Sequence, residues 1–522
     1  MDHSSGKRVL AVALALPLWL GVGLNPAPAP TDDTGGLAEG YPTLDDLQDE
    51  LERIAALDPA RVTLQRLAED LDLDPSYEGN DLQALSIHGG RLAELPTQLV
   101  IAGLHPREAV PPLTALALAE RLALADENDP AALAVVEGFD TIVLPMANPD
   151  GWAWVLGQDE LWRKNRQVYD EGVGVDLNRN FPFGWDGDCA GSTDPADRKY
   201  RGPSPGSEAE TAILMALVEQ LRPARILDLH GFGGTVKVGY SCCEHPLDSY
   251  LRRRAAQLSS QLGFDGVVAA PSAGGELVGW ALNRYGAMAM IPELGDSFAP
   301  PIDDAWGKAQ QAAAGLLAEL GRPSPLSGHV TSAGSGAPLE ARIELVGLDR
   351  PNDERLGSTP GQGRFDLWLP DGTWLLQLEA DGHEPLTVAV DVDAAAPTKL
   401  DLALEPLAHV GGLQAQPAGC SCSAPQPGRA RHAWALAFAA LLWRRRQTIP
   451  TRDYRVRTAS SRPVWEDEPV GFSHTSRSPP LPPNRTSLTF RENRVTASAT
   501  CSRPKRTRSD GIWTFRFTMN LR

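Results

Sequence analysis

At 522 residues the chain is longer than one ordinary domain, so two or more folded units are expected. Its formal net charge is −19 even though the part beyond 446 is Arg-rich, and an acidic body of that kind argues against nucleic-acid binding, which needs a basic footprint. A hydrophobic content of 42% is ample for a large core, while six cysteines do not make a disulfide framework at this length.

The chain opens with Lys7-Arg8, an apolar run over 9–24 and small residues at Ala27 and Ala29. A basic start, an apolar middle and small residues near the end predict a signal peptide over 1–29. The expected location is outside the cytoplasm: secreted, or at the cell surface or outer envelope. A Pro/Gly/Asp-rich linker occupies 30–42. From 43 to 322 strand-like and helix-like segments alternate. The runs 98–104, 141–147, 225–229 and 287–291 are short and apolar, as buried strands are. Helical patterns lie between them, at 108–125 and at 208–221, the second opening on a capping-box spacing from Ser207 to Glu210. This alternation predicts an α/β fold with a mixed, largely parallel sheet flanked by helices.

A Pro/Ser break then leads into a second unit, 326–406. Apolar and polar residues alternate over 328–333, 341–346, 364–369, 374–380, 386–392 and 399–404, with turns such as Asp371-Gly372 and Asp381-Gly382 between them. Short strands at this spacing predict a small antiparallel β-sandwich, without a catalytic cluster. The segment 407–446 carries Gly419-Cys420-Ser421-Cys422, an apolar stretch over 433–443 and Arg444-Arg445-Arg446. That stretch is shorter than the ~20 residues a helix needs to cross a bilayer. The tail, 447–522, is rich in Arg, Ser, Thr and Pro and is expected to be disordered. In the first unit a bridge from Cys189 to Cys242 or Cys243 suits an oxidising compartment.

Polar residues gather at the ends of the expected strands. His105 and Glu108 follow the first strand as His-Pro-Arg-Glu, and residues three apart converge on one point of a helical turn. His230 ends the strand at 225–229, and Glu293 follows the one at 287–291. Ligands of open α/β sheets collect at the carboxyl ends of strands, so these groups can meet in one crevice. Two histidines and one carboxylate suit a tetrahedral zinc with an open position. A further carboxylate, Glu293, is placed to act as general base.

In these residues the chain resembles the zinc metallocarboxypeptidases of the carboxypeptidase A and B type. His105-Pro106-Arg107-Glu108 is similar to that family's His-x-x-Glu zinc motif, and His230 supplies the third ligand. Leu161-Trp162-Arg163-Lys164-Asn165-Arg166 resembles the segment whose first arginine stabilises the oxyanion, here Arg163. Gly174-Val175-Asp176-Leu177-Asn178-Arg179-Asn180 resembles the segment that grips the substrate's terminal carboxylate. The resemblance implies Asn178 and Arg179 in that role, with Asp176 orienting His105. Ile291-Pro292-Glu293-Leu294 is similar to the segment carrying the catalytic glutamate. The family's mobile tyrosine has no counterpart before Gly274-Gly275. Leu277 is expected at the floor of the specificity pocket, with Glu276 or Val278 taking that place under a one-residue shift.

The resemblance thus implies a carboxypeptidase-like fold and one Zn(2+) per chain. It implies hydrolysis of the C-terminal peptide bond of peptides or proteins by metal-activated water. The substrates would be peptide or protein C-termini, and nucleic acid is not expected as a partner. The preferred C-terminal residue stays open. The second unit resembles a transthyretin-like β-sandwich, and 407–446 resembles a MYXO-CTERM sorting tail, which implies attachment to the cell surface. A rival reading on the same scaffold is a zinc amidase or peptidase of cell-wall stem peptides. A rival of another class is a catalytically silent surface-binding protein.

Overall fold

The structure, a computed structural model, describes Leu37 and residues 40–89, 95–407, 508–509 and 512–513. The expected signal peptide (1–29) and the segment from Cys420 to Arg446 lie outside the described residues. So does the expected disordered tail, apart from a short antiparallel pair, Arg508–Ser509 with Ile512–Trp513.

In chain order the first elements are α1 (Leu44–Leu57), β1 (Val62–Arg66), the single-turn α2 (Leu67–Asp70), β2 (Gln83–Ile87) and β3 (Thr97–Ala102). Helices α3 (Val110–Ala123) and α4 (Pro130–Gly138) precede β4 (Asp140–Leu144) and α5 (Pro149–Gly157). A small hairpin, β5 (Val168–Tyr169) and β6 (Gly172–Val173), precedes α6 (Ala209–Leu221). The domain closes with β7 (Arg225–Gly231), β8 (Thr235–Val238), α7 (Asp248–Gln261), β9 (Val268–Ala269), α8 (Leu277–Tyr285), β10 (Met288–Leu294) and α9 (Ile302–Leu320).

Local signals explain several boundaries. Thr43 and Asp46 form a reciprocal capping box at the start of α1, and prolines stand in the first turn of α3, α4 and α5, where an N–H has no partner to lose. The capping box expected at Ser207 does not form. Glu208 is the N-cap of α6 without a side-chain cap, and the Ser207 hydroxyl donates to Glu208 instead.

The eight strands run in the order β1-β2-β4-β3-β7-β10-β8-β9. The inner pairs β4–β3, β3–β7 and β7–β10 are parallel; β1–β2, β2–β4 and β10–β8 are antiparallel. Every residue of β7 and β10 is buried, as strands covered on both faces require. Side-chain parity then assigns the faces. Val100, Leu227, Leu229, Met288 and Met290 join the core under α1, α3, α7 and α9, whereas Leu99, Ile101, Ile226, Ala289 and Ile291 join the core under α6 and α8. Strand side chains alternate. Asp228 and His230 therefore continue the row of Ile226, and Glu293 that of Ala289 and Ile291, on the α6/α8 side.

The chain continues into β11 (Leu326–Ser332), β12 (Arg342–Leu345), β13 (Leu356–Gly357), β14 (Arg364–Leu367), β15 (Gly372–Glu379), β16 (Leu386–Val392), β17 (Thr398–Lys399) and β18 (Leu402–Leu404). Two sheets, β14-β11-β17 with β18, and β13-β12-β15-β16, share one core containing Val330, Ile343, Phe365, Leu376 and Val390. The pairing is antiparallel except that β17 and β18 run parallel to β11.

A buried charge cluster lies where the two parts meet. Arg225, the first residue of β7, is fully buried; it donates to Gln98 Oε1 at 2.6 Å and to the carbonyls of Leu320 at 3.0 Å and Arg322 at 2.6 Å. Glu319, also fully buried, lies 3.3 Å from Arg225, and both its oxygens accept from Arg254 Nη2, at 2.8 and 2.6 Å. Trp368 covers both guanidinium groups and donates its indole N–H to Ala224 O at 2.7 Å. Burial pushes the Arg225 guanidinium down to about 10, against the opposite pull of Glu319. Removing one member of such a cluster strands the others. Glu319→Ala should therefore cost about 3–5 kcal/mol of stability. A thermal or denaturant melt checks this, and a loss below about 1 kcal/mol would show that the arginines are not held by Glu319.

Candidate active site

Three elements converge on the α6/α8 face of the sheet at the carboxyl ends of its inner strands. The turn after β3 carries His105 and Glu108, closed by a bond from Glu108 N to His105 O at 3.1 Å. The end of β7 carries His230, and β10 carries Glu293 directly beside it in register. Both are the penultimate residues of their strands, which run further than the sequence pattern suggests, to Gly231 and Leu294.

The imidazoles are fixed from behind. His105 Nε2 lies 3.0 Å from Asp176 Oδ1, and His230 Nε2 lies 3.0 Å from Asp228 Oδ2. That leaves both Nδ1 atoms facing Glu108, at 3.0 Å from Oε1 for His105 and 2.9 Å from Oε2 for His230. Gly231 N donates to Glu108 Oε2 at 2.9 Å. The three donor atoms lie within 4.8 Å of one another, and all three residues are buried. Burial alone would raise the Glu108 carboxyl, yet the flanking His105 and His230 hold it well below its usual range. Nitrogen and carboxylate donors, each imidazole backed by a second carboxylate, are the chemistry of a zinc site. The residues present fit the metal.

Asp176 does more than hold His105. Fully buried, it also accepts from Arg163 Nε at 2.8 Å and from Asn178 N at 3.2 Å. Burial would raise its carboxyl, but Arg163, Arg179 and His105 hold it well below the usual range. Asn165 ties the same segments together: its side-chain oxygen accepts from Val175 N at 2.8 Å, and its amide donates to Glu208 and Glu210. Arg179 forks toward Ser272 Oγ at 2.7 Å and Glu276 Oε1 at 3.0 Å. The loop approaches closely because residue 275 is glycine: at φ +82°, a Cβ there would sit 2.3 Å from Arg179 O.

These groups line a crevice of about 260 Å³ that contains His105, Glu108, Arg163, Arg179, His230 and Glu293. Residues 48–301 match the family model described as zinc carboxypeptidase, Peptidase_M14. Over this segment the chain is similar to the zinc carboxypeptidase family. Among its relatives, a metallocarboxypeptidase A-like protein of Trichophyton verrucosum (strain HKI 0517) is 33% identical over 193 residues, covering 35% of this chain and 45% of the relative. Carboxypeptidase A4 of Mus musculus is 29% identical over 271 residues, covering 49% and 63%. The chain thus spans about half the length of the curated relatives it matches. A solved carboxypeptidase A from Helicoverpa armigera superposes with a TM-score of 0.47 at 23% identity, covering 54% of this chain and 73% of that one.

Within this segment most expected residues meet, with one difference of placement. Leu277 does not reach the crevice: it is fully buried in the core under α8, and its neighbour Glu276 lines the crevice instead. Asn178 lines the crevice beside Arg179, its Nδ2 lying 3.1 Å from Asp228 Oδ2 and 2.9 Å from His230 Nε2 while its Oδ1 accepts from Leu277 N. Three residues outside the expected set matter. Asp228 backs His230, and its place two residues earlier on one strand was a readable cue. Lys237 Nζ bonds to Glu293 Oε1, and Arg107 stacks on Phe298 at 4.2 Å; both contacts depend on tertiary neighbours. Cys189 is bridged to Cys242, and Cys243 is free and exposed.

Asp228 generates a test. Carboxylates behind a ligating imidazole typically contribute 10–100-fold in metal affinity. Asp228→Ala should therefore weaken zinc binding by about 10–100-fold in a competition titration with a chromophoric chelator. Unchanged affinity would show that His230 needs no such support.

Proposed function

We propose that the chain is a zinc-dependent metallocarboxypeptidase that hydrolyses the C-terminal peptide bond of peptides or proteins, with one zinc per chain held by His105, Glu108 and His230. The observation that carries this reading is the convergence of both Nδ1 atoms on the Glu108 carboxylate, in a crevice that also holds Glu293 and Arg179. Zinc held there supplies a Lewis acid that polarises the scissile carbonyl and acidifies a water molecule. Glu293 takes a proton from the attacking water and returns it to the departing amine. Arg163, held by Asp176, turns its remaining donors toward the oxygen that becomes anionic. Arg179 exchanges its bonds with Ser272 and Glu276 for the substrate's terminal carboxylate, a planar fork meeting a planar acceptor. Asn178 assists from behind, keeping His230 and Asp228 in register with that carboxylate site.

The catalytic domain is read as 43–322 and the sandwich, 326–406, as transthyretin-like. The basic and apolar start of the chain supports export, and the Cys420/Cys422 segment with its apolar run supports attachment to a cell surface.

Two experiments test the activity. A peptide with a free C-terminal carboxylate should be cut at least about 30-fold faster than its C-terminally amidated twin, the effect of losing a buried charge partner. Equal rates would remove the carboxypeptidase reading, and no cleavage of either would favour the silent surface protein. Glu293→Gln should lower turnover by about 10²–10⁴ while zinc content and melting temperature hold steady. A variant that turns over normally, or that loses zinc, would show that Glu293 is not the base.

A further inference from the structure

Six cationic side chains line the crevice: Arg107, Arg163, Arg179, Arg198, Lys199 and Lys237. The carboxylates beside them are Glu108, Glu276 and Glu293. A chain of net charge −19 therefore concentrates positive charge where its substrate enters.

These cations are not equivalent. Arg163 is bound to Asp176, and Arg179 is bound to Glu276 and Ser272. The Oε1 oxygen of Glu276 is in turn fully engaged, while its Oε2 is buried without a hydrogen-bond partner. Its Oε1 accepts from Arg179, from the Ser272 backbone and hydroxyl, and from Ala273 N, and its side chain is 3% exposed. Lys237 is different. It stands on β8 opposite Ile291 of β10, and a strand pair places directly opposed side chains on one face, here the face that carries Glu293. Its side chain is 23% exposed, and Glu293 takes one of the three donors an ammonium offers.

We propose that Lys237 is a specificity-determining residue and that the preferred substrate ends in an acidic residue, aspartate or glutamate. This rests on the carboxypeptidase reading and supplies its substrate class. A terminal residue gripped by Arg179 and cut beside Glu293 must place its side chain on the wall formed by Ser272, Ile291 and Lys237. An acidic side chain meets the free donors of Lys237 there. A basic one meets like charge, and an apolar one strips water from an ammonium without replacing its hydrogen bonds. Because the same ammonium holds Glu293, an arriving carboxylate also draws it away from the base.

The test compares otherwise identical peptides ending in Glu and in the isosteric Gln, using the zinc-loaded full chain. A charge-assisted hydrogen bond corresponds to a kcat/KM ratio of about 10- to 100-fold in favour of Glu. Lys237→Met should bring the ratio close to one, and Lys237→Arg should restore a preference. Since both peptides use the same base, a change in Glu293 cancels from the ratio. Calorimetric binding of N-acetylglutamate and N-acetylglutamine to the same proteins supplies a readout independent of turnover. Equal binding of the two by the wild type, or a preference that survives in Lys237→Met, overturns the proposal even where peptides with other ends are cleaved. An acid preference in binding that Lys237→Met abolishes, with no peptide cleaved at all, supports the acid-selecting subsite and overturns the carboxypeptidase activity instead.

Discussion

The site depends on one buried carboxylate. Asp176 holds His105 with one oxygen and Arg163 with the other, and it is fully enclosed. An isolated charge in that position would be costly, so its neighbours must be cationic or hydrogen-bonding. That requirement couples groups far apart in sequence: an imidazole from the turn after β3, a guanidinium from the loop after α5, and the single-turn helix Leu177–Arg179. Moving Asp176 would loosen His105 and Arg163 together. Asp228 repeats the device on His230. The geometry of the cluster His105, Glu108 and His230 is thus set from outside it, by two further acids.

Much of this was legible in sequence because the chemistry is written in short spacings. His105 and Glu108 are three apart, Asp228 and His230 two apart, and Asp176, Asn178 and Arg179 nearly contiguous, so each group is pre-assembled by one turn or one strand. The inner strands were legible for a related reason: doubly covered strands are almost wholly apolar, and polar residues at their ends stand out. What escaped depends on strand order. Nothing local announces that β8 returns antiparallel beside β10, so Lys237 could not be placed against Glu293. Leu277 packs in the core: an apolar residue two positions after Gly-Gly fits a pocket floor as well as a core, and only the start of α8 decides which way it turns.

The mixed character of the sheet has a functional consequence. The parallel strands β3, β7 and β10 end together and bring His105, His230 and Glu293 to one edge, as crossovers through helices require. The antiparallel β8 starts where they stop and runs back beside Glu293. It therefore adds a side wall to a crevice that the parallel strands alone would leave open. A residue on that wall sees the substrate without belonging to the catalytic set, so its identity can vary without disturbing the metal ligands.

Charge supplies the last step. The acidic surface and the cationic crevice oppose each other, and a field of that shape draws an anionic chain end inward while the surrounding surface repels it from unproductive contact. On the proposed function every substrate carries one terminal carboxylate, and Arg179 is the residue proposed to hold it. The further cations, Arg107, Arg198, Lys199 and Lys237, exceed what that carboxylate needs. Placing them there costs stability, because like charges crowd one another and Arg107 has an Nε buried without a hydrogen-bond partner. Such a cost is sustained where a ligand of opposite charge offsets it, so the surplus positive charge points to a second acidic group on the substrate rather than to the architecture of the fold.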